Sequence, residues 1–93
     1  MPRLIPCVSY SFVYGTYLAD SLLHLRERDM RASIDSMRNA RMHMERTGVE
    51  CGFDISEHIR LLATASELTE RGMYFDAEGL MSDILHKTVH LKR

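Results

Sequence analysis

The chain has 93 residues, 45% of them hydrophobic, with five glycines, two prolines and a net charge of −1, which sets a single small folding domain and excludes disorder by composition. No apolar stretch approaches the roughly 20 residues that span a bilayer. The first 13 residues lack a continuous apolar core leading to a small-residue cleavage site, so no secretory signal is expected and the chain reads as cytoplasmic.

Charge is uneven along the chain. Residues 1 to 46 hold seven arginines against five acids, a net of +2, whereas residues 47 to 85 hold eight acids against Arg60 and Arg71, a net of −6. Such asymmetry orients a protein in a complex, and no segment reaches the basic density that phosphate neutralisation needs. Neither a membrane nor a nucleic acid is the expected partner. The two cysteines, Cys7 and Cys51, form no CxxC motif, and reduced thiols fit a cytosolic chain.

Residues 1 to 9 contain both prolines and are expected as an extended lead-in. From about Ser11 the pattern turns helical, with Tyr14, Leu18, Leu22 and Leu25 at three- and four-residue spacing. Asp29 is a candidate N-cap for a second helix carrying Met30, Ile34, Met37, Ala40 and Met44. Because neither Gly nor Pro stands at this junction, the pattern also admits one helix over 11–47. Gly48 offers a C-cap, and a connector over 48–56 leads to Asp54 and Glu57, whose spacing predicts a capping box. The third helix carries Ile55, Ile59, Leu62, Ala65 and Leu68 and ends at Gly72; the fourth carries Ala77, Leu80, Met81, Ile84, Leu85 and Thr88. The expected class is all-α, with a first helix pair over 10–47 and a second over 55–91.

The two pairs repeat. Leu61, Ala65, Tyr74, Ala77, Met81 and Ile84 stand 44 residues after Tyr17, Ser21, Met30, Ser33, Met37 and Ala40. In the second pair Leu61, Ala65, Gly72, Tyr74, Ala77, Met81 and Ile84 give a large apolar residue, a small one, a turn glycine, an aromatic, a close-packing alanine and two apolar residues, in that order. This spacing resembles the tetratricopeptide repeat, whose period is about 34 residues. Arg28 stands in the place of the turn glycine in the first pair, and the small positions there are serines. The resemblance implies a fold and a binding mode, with no reaction attached.

In tetratricopeptide arrays the first helix of each pair lines a concave surface, which here implies partner contacts at Leu18, Leu22, Leu25, Ile59, Leu62 and Ser66. A mainly aliphatic groove suits an amphipathic helix. Two repeats are fewer than such arrays need to cover their faces, so a partner protein or a second copy is expected, in a hetero-oligomer or homodimer. By size, repeat and groove the chain looks like the short tetratricopeptide-type chaperones of type III secretion, which hold the helical tail of the needle subunit. The competing reading is a small phage- or plasmid-type regulator that acts on DNA, or on a DNA-binding protein, through Arg31, Arg38 and Arg41.

Candidate chemistry is sparse. His86 and His90 share a helix face at a spacing that zinc sites use, but a third ligand of fitting type is missing nearby. Met42, His43 and Met44 are soft ligands that a helix cannot point to one side. Met30, Met37 and Met44 recur every seven residues as a core stripe, and Arg31, Arg38 and Arg41 form a ridge that Glu27, Asp35 and Glu45 can pair. No glycine-rich phosphate loop, GxSxG or HExxH is present. No catalytic residue, cofactor or metal is expected.

Overall fold

A computed structural model describes the backbone from Leu4 to Val89 and the side chains of residues 12–88. It contains helices α1 (Leu4–Arg26), α2 (Met30–Cys51), α3 (Ser56–Glu70) and α4 (Tyr74–Val89), with no strand among the described residues. The class is all-α, built from two antiparallel helical hairpins.

The two hairpin turns repeat bond for bond. In the first, the Arg28 amide donates to Leu25 O at 3.0 Å and the Asp29 amide to His24 O at 2.9 Å; 44 residues on, Gly72 donates to Thr69 O and Met73 to Leu68 O, both at 2.9 Å. These are paired Schellman bonds, which need a left-handed residue at the turn. Gly72 takes φ 77° and Arg28 takes φ 60°, so Arg28 adopts the backbone that its glycine counterpart adopts without a Cβ penalty. Asp29 then caps α2, accepting from the Ala32 amide at 3.2 Å, and the single helix over 11–47 does not form.

Three boundaries differ from the sequence pattern. α1 starts at Leu4, five residues before the end of the expected lead-in, because Pro6 falls in the first turn, where its missing amide hydrogen has no helical partner to lose. α2 runs through Gly48 to Cys51 and is closed by Gly52 at φ 73°. At Gly48 an added Cβ would lie 2.8 Å from Ile55 Cγ1, so this glycine admits the returning connector to the helix surface and caps nothing. Asp54 accepts from both the amide (3.2 Å) and the hydroxyl (2.8 Å) of Ser56, a local turn, and α3 starts at Ser56 without a side-chain cap.

α1 packs against α2 and α4, and α3 against α2 and α4, leaving α1 and α3 on one diagonal and α2 and α4 on the other. The dimensions, 45 × 19 × 17 Å, are those of four helices aligned side by side at the usual spacing of about 10 Å. Exchanging α1 with α3 and α2 with α4 maps the α1–α4 interface onto the α3–α2 interface. The hairpins are therefore related by a pseudo-two-fold, and each buries the other's apolar face.

Burial follows the repeat. Leu18 and Leu62, Ser33 and Ala77, Met37 and Met81, and Ala40 and Ile84 are buried in matched pairs, with Tyr14, Leu25 and Met44 completing the core. Where the second hairpin crosses at Ala65 and Ala77, the first crosses at Ser21 and Ser33, whose hydroxyls lie 3.1 Å apart. With one proton each, one hydroxyl donates to the other and the second donates to a backbone carbonyl, Ser21 Oγ to Ser33 O at 3.2 Å or Ser33 Oγ to Ser21 O at 3.4 Å. The pair satisfies itself inside the core. Among the described residues, no helix is long and apolar enough to cross a membrane.

Candidate functional site: the crease between α2 and α3

The six groove residues do not share one surface. Leu18 and Leu25 are fully buried, core in this conformation and closed to a partner, whereas Leu62, 2% exposed, is a core residue that shows only its edge at the surface. Leu22, half-buried on α1, lies diagonally across the bundle from α3. Ile59, Leu62 and Ser66 do meet a concavity, but its second wall is α2. The reason is the pseudo-two-fold: a concave array needs first helices side by side, and here they sit on a diagonal.

That concavity is a crease along the α2–α3 interface. Towards the hairpin turns, Ile34, Arg38 and Arg41 of α2 and Leu62, Ala63 and Ser66 of α3 enclose about 160 Å³, with Glu70 at the end. Towards the connector, Val49, Phe53, Ile55 and Ile59 frame a shallower hollow of about 510 Å³. Val49 is 85% exposed there. Both hollows draw on the same faces of α2 and α3, so they follow one line.

The α1–α4 interface, equivalent by symmetry, is the internal reference. Ser66 and Arg41 correspond at 44 residues to Leu22 and Leu85, both half-buried against the core. Glu70 and Ile34 correspond to Arg26 and Glu78, which pair at 3.8 Å. Glu78 also accepts from Arg28 at 2.9 Å, and the Arg28 guanidinium lies 5.1 Å from the Tyr74 ring centre. One interface thus carries two core-packed leucines and a carboxylate held between two arginines. Among the described residues its twin has neither device and holds the hollow.

The cations that line the crease, Arg38 and Arg41, are both on α2, and its carboxylates stand towards the ends, Glu70 on α3 at the hairpin end and Glu45 and Asp54 at the connector end. Arg38 pairs with Asp35 at 3.7 Å and Arg41 with Glu45 at 3.2 Å, all four well exposed and all on α2. Opposite them, α3 presents Ala63 and Ser66. At the connector end the hydroxyl and amide of Ser56 hold the Asp54 carboxyl below its ordinary value.

Other candidate groups are placed by the packing. Met44 is buried and Met42 exposed, while the His43 ring stacks on Tyr17 at 5.3 Å, so the triplet divides between faces. Met37 joins Met44 in the core and Met30 is 36% exposed. His90 lies outside the described residues. Burial lowers the His58 pKa and raises that of Tyr14; these two residues occupy equivalent positions of the repeat. Thr88, next to Tyr14, already donates its hydroxyl to Ile84 O at 2.8 Å. Cys51 is disulfide-bonded, against the expectation of reduced thiols; the side chain of Cys7 is outside the described set.

The sequence pattern marks Arg38 and Arg41 as a self-paired ridge, or as the contact of a DNA-acting regulator, and Ile34 as part of the apolar face of α2, and it does not single out Val49 or Phe53. Comparing the repeats at positions 22 and 66, and 41 and 85, carries the missing signal, because each pair exchanges leucine for a polar residue. Compared with known proteins, the chain matches no family model, no curated sequence and no solved structure.

Proposed function

We propose that this chain is a protein-binding adaptor or chaperone that holds an amphipathic helix of a partner in the α2–α3 crease. The observation that carries the reading is the contrast between two symmetry-equivalent interfaces: where α1 and α4 present Leu22, Leu85 and the Arg26–Glu78 pair, α2 and α3 present Arg41, Ser66, Ile34 and Glu70 around an open hollow with an apolar floor. From Ile34 to Val49 the crease follows about 22 Å of α2, room for about four turns of a docked helix. Such helices anchor by apolar residues three and four apart, and the two hollows in line offer places for them. The needle-subunit chaperones of the sequence resemblance are one case of this class.

The test is fluorescence anisotropy with a designed amphipathic peptide bearing a leucine stripe, helical over about 18 residues. Ala63→Arg places a long side chain in the crease, and Ala19→Arg places the same side chain at the equivalent exposed position of α1. Binding that survives Ala19→Arg and is lost in Ala63→Arg supports the reading. No binding to the parent protein, or equal loss in both variants, removes it.

A further inference from the structure

Resting on that reading, we infer that the crease selects a helix by charge: its occupant carries acidic residues along the flank that faces α2. On α2, Arg31, Ile34, Arg38 and Arg41 recur at three- and four-residue spacing, which sets them in one row along the crease, and Arg38 and Arg41 line the concavity itself. The facing α3 wall is uncharged at Ala63 and Ser66 and carries a carboxylate, Glu70, at its hairpin end. A helix laid between them meets guanidinium groups on one side only.

The arginines are not there to pack the bundle. At the equivalent positions of α4, Arg38 becomes Ser82 and Arg41 becomes Leu85, and α4 packs on α1 without a cation at either place. Nor are their present partners binding ones. Asp35 and Glu45 are neighbours on the same helix, more than half exposed, at 3.7 and 3.2 Å; exposed pairs of this kind are weak and exchange readily with an incoming carboxylate. Arg31 has no ion pair among the described residues. The planar guanidinium suits a carboxylate held at close range, where two parallel hydrogen bonds form.

A nucleic acid fits these observations less well than an acidic helix. The floor built from Ile34 and Leu62 has no use for a phosphate backbone. A protein helix satisfies both the floor and the rim.

Two peptides test the inference, sharing one leucine stripe and differing only in a flank of glutamates or of lysines. At low ionic strength the glutamate peptide is expected to bind about tenfold more tightly or better, with the gap closing as salt is added. Arg38→Glu with Arg41→Glu is expected to reverse the preference, and Arg38→Gln with Arg41→Gln to abolish it. All four changes are at exposed positions, and circular dichroism checks that the helices persist. Equal affinity for both peptides overturns the charge inference and leaves the crease as a docking site. Binding of neither peptide takes down the docking site as well. Tight binding of a DNA duplex that the same variants abolish assigns the arginines to a different class of ligand and overturns the inference.

Discussion

Closing the crease should stabilise the protein and silence it. The perturbation is Arg41→Leu with Ser66→Leu, which copies Leu85 and Leu22 from the equivalent interface into α2 and α3. Full burial of a leucine side chain is worth about 1.5 to 3 kcal/mol. Leu22 and Leu85 are half-buried, so each transplanted leucine should contribute about half of that, roughly 1.5 to 3 kcal/mol for the two. Against this stands the exposed Arg41–Glu45 pair at 3.2 Å, worth about 0.3 to 0.5 kcal/mol at helical spacing. The net gain of about 2 kcal/mol corresponds to a Tm rise of about 8 to 16 °C for a domain of this size. Urea unfolding followed by far-ultraviolet circular dichroism measures the gain, and peptide anisotropy measures the loss of binding. A double variant no more stable than the parent, or one that unfolds with a smaller denaturant slope, would refute the equivalence of the two interfaces.

The serine crossing and the buried histidine give two further tests. Either Ser21→Ala or Ser33→Ala should cost about 1 kcal/mol, because the remaining buried hydroxyl keeps only one long backbone bond, whereas the double change should be close to neutral, since Ala65 and Ala77 make the same crossing; a double-mutant cycle by urea unfolding in which the two costs simply add would contradict this. For His58, burial holds the folded pKa below the ordinary value of 6.5, so the unfolded chain takes up the proton first. Stability should be full above that value and decline as pH falls from it through the folded pKa, and Tm in His58→Gln should lose this dependence over the same range.

The sequence reading recovered what periodicity encodes and missed what packing decides. Helix number, the hairpin pairing and the 44-residue register were visible because apolar and small residues recur at fixed spacing, and Ser21, Ser33, Ala65 and Ala77 are all buried where the pattern places them. Gly48 was misread because a glycine that ends a helix and a glycine that admits a neighbour look alike in sequence; only the 2.8 Å approach of Ile55 separates them. That Leu18, Leu22 and Leu25 do not share one groove with Ile59, Leu62 and Ser66 has a different reason. A helical hairpin presents the same apolar stripe whether its neighbour is added by translation or by rotation, so the stripe cannot say which helices become adjacent.

Rotation is what removes the shortage that two repeats would otherwise face. Hairpins added by translation always leave a face at each end, and two of them leave most of their apolar surface uncovered. Related by a two-fold, the same two hairpins cover each other, with α1 on α4 and α2 on α3, and the core closes without a cap. An opening in such a bundle is then not the remnant of an unfinished array. It has to be written into the sequence at particular positions, and here it is: leucines at 22 and 85 against Ser66 and Arg41, an ion pair at 26 and 78 against Glu70 and Ile34. Because symmetry supplies the closed alternative within the same molecule, each of these departures marks a place where the chain forgoes stability, and all of them border one crease.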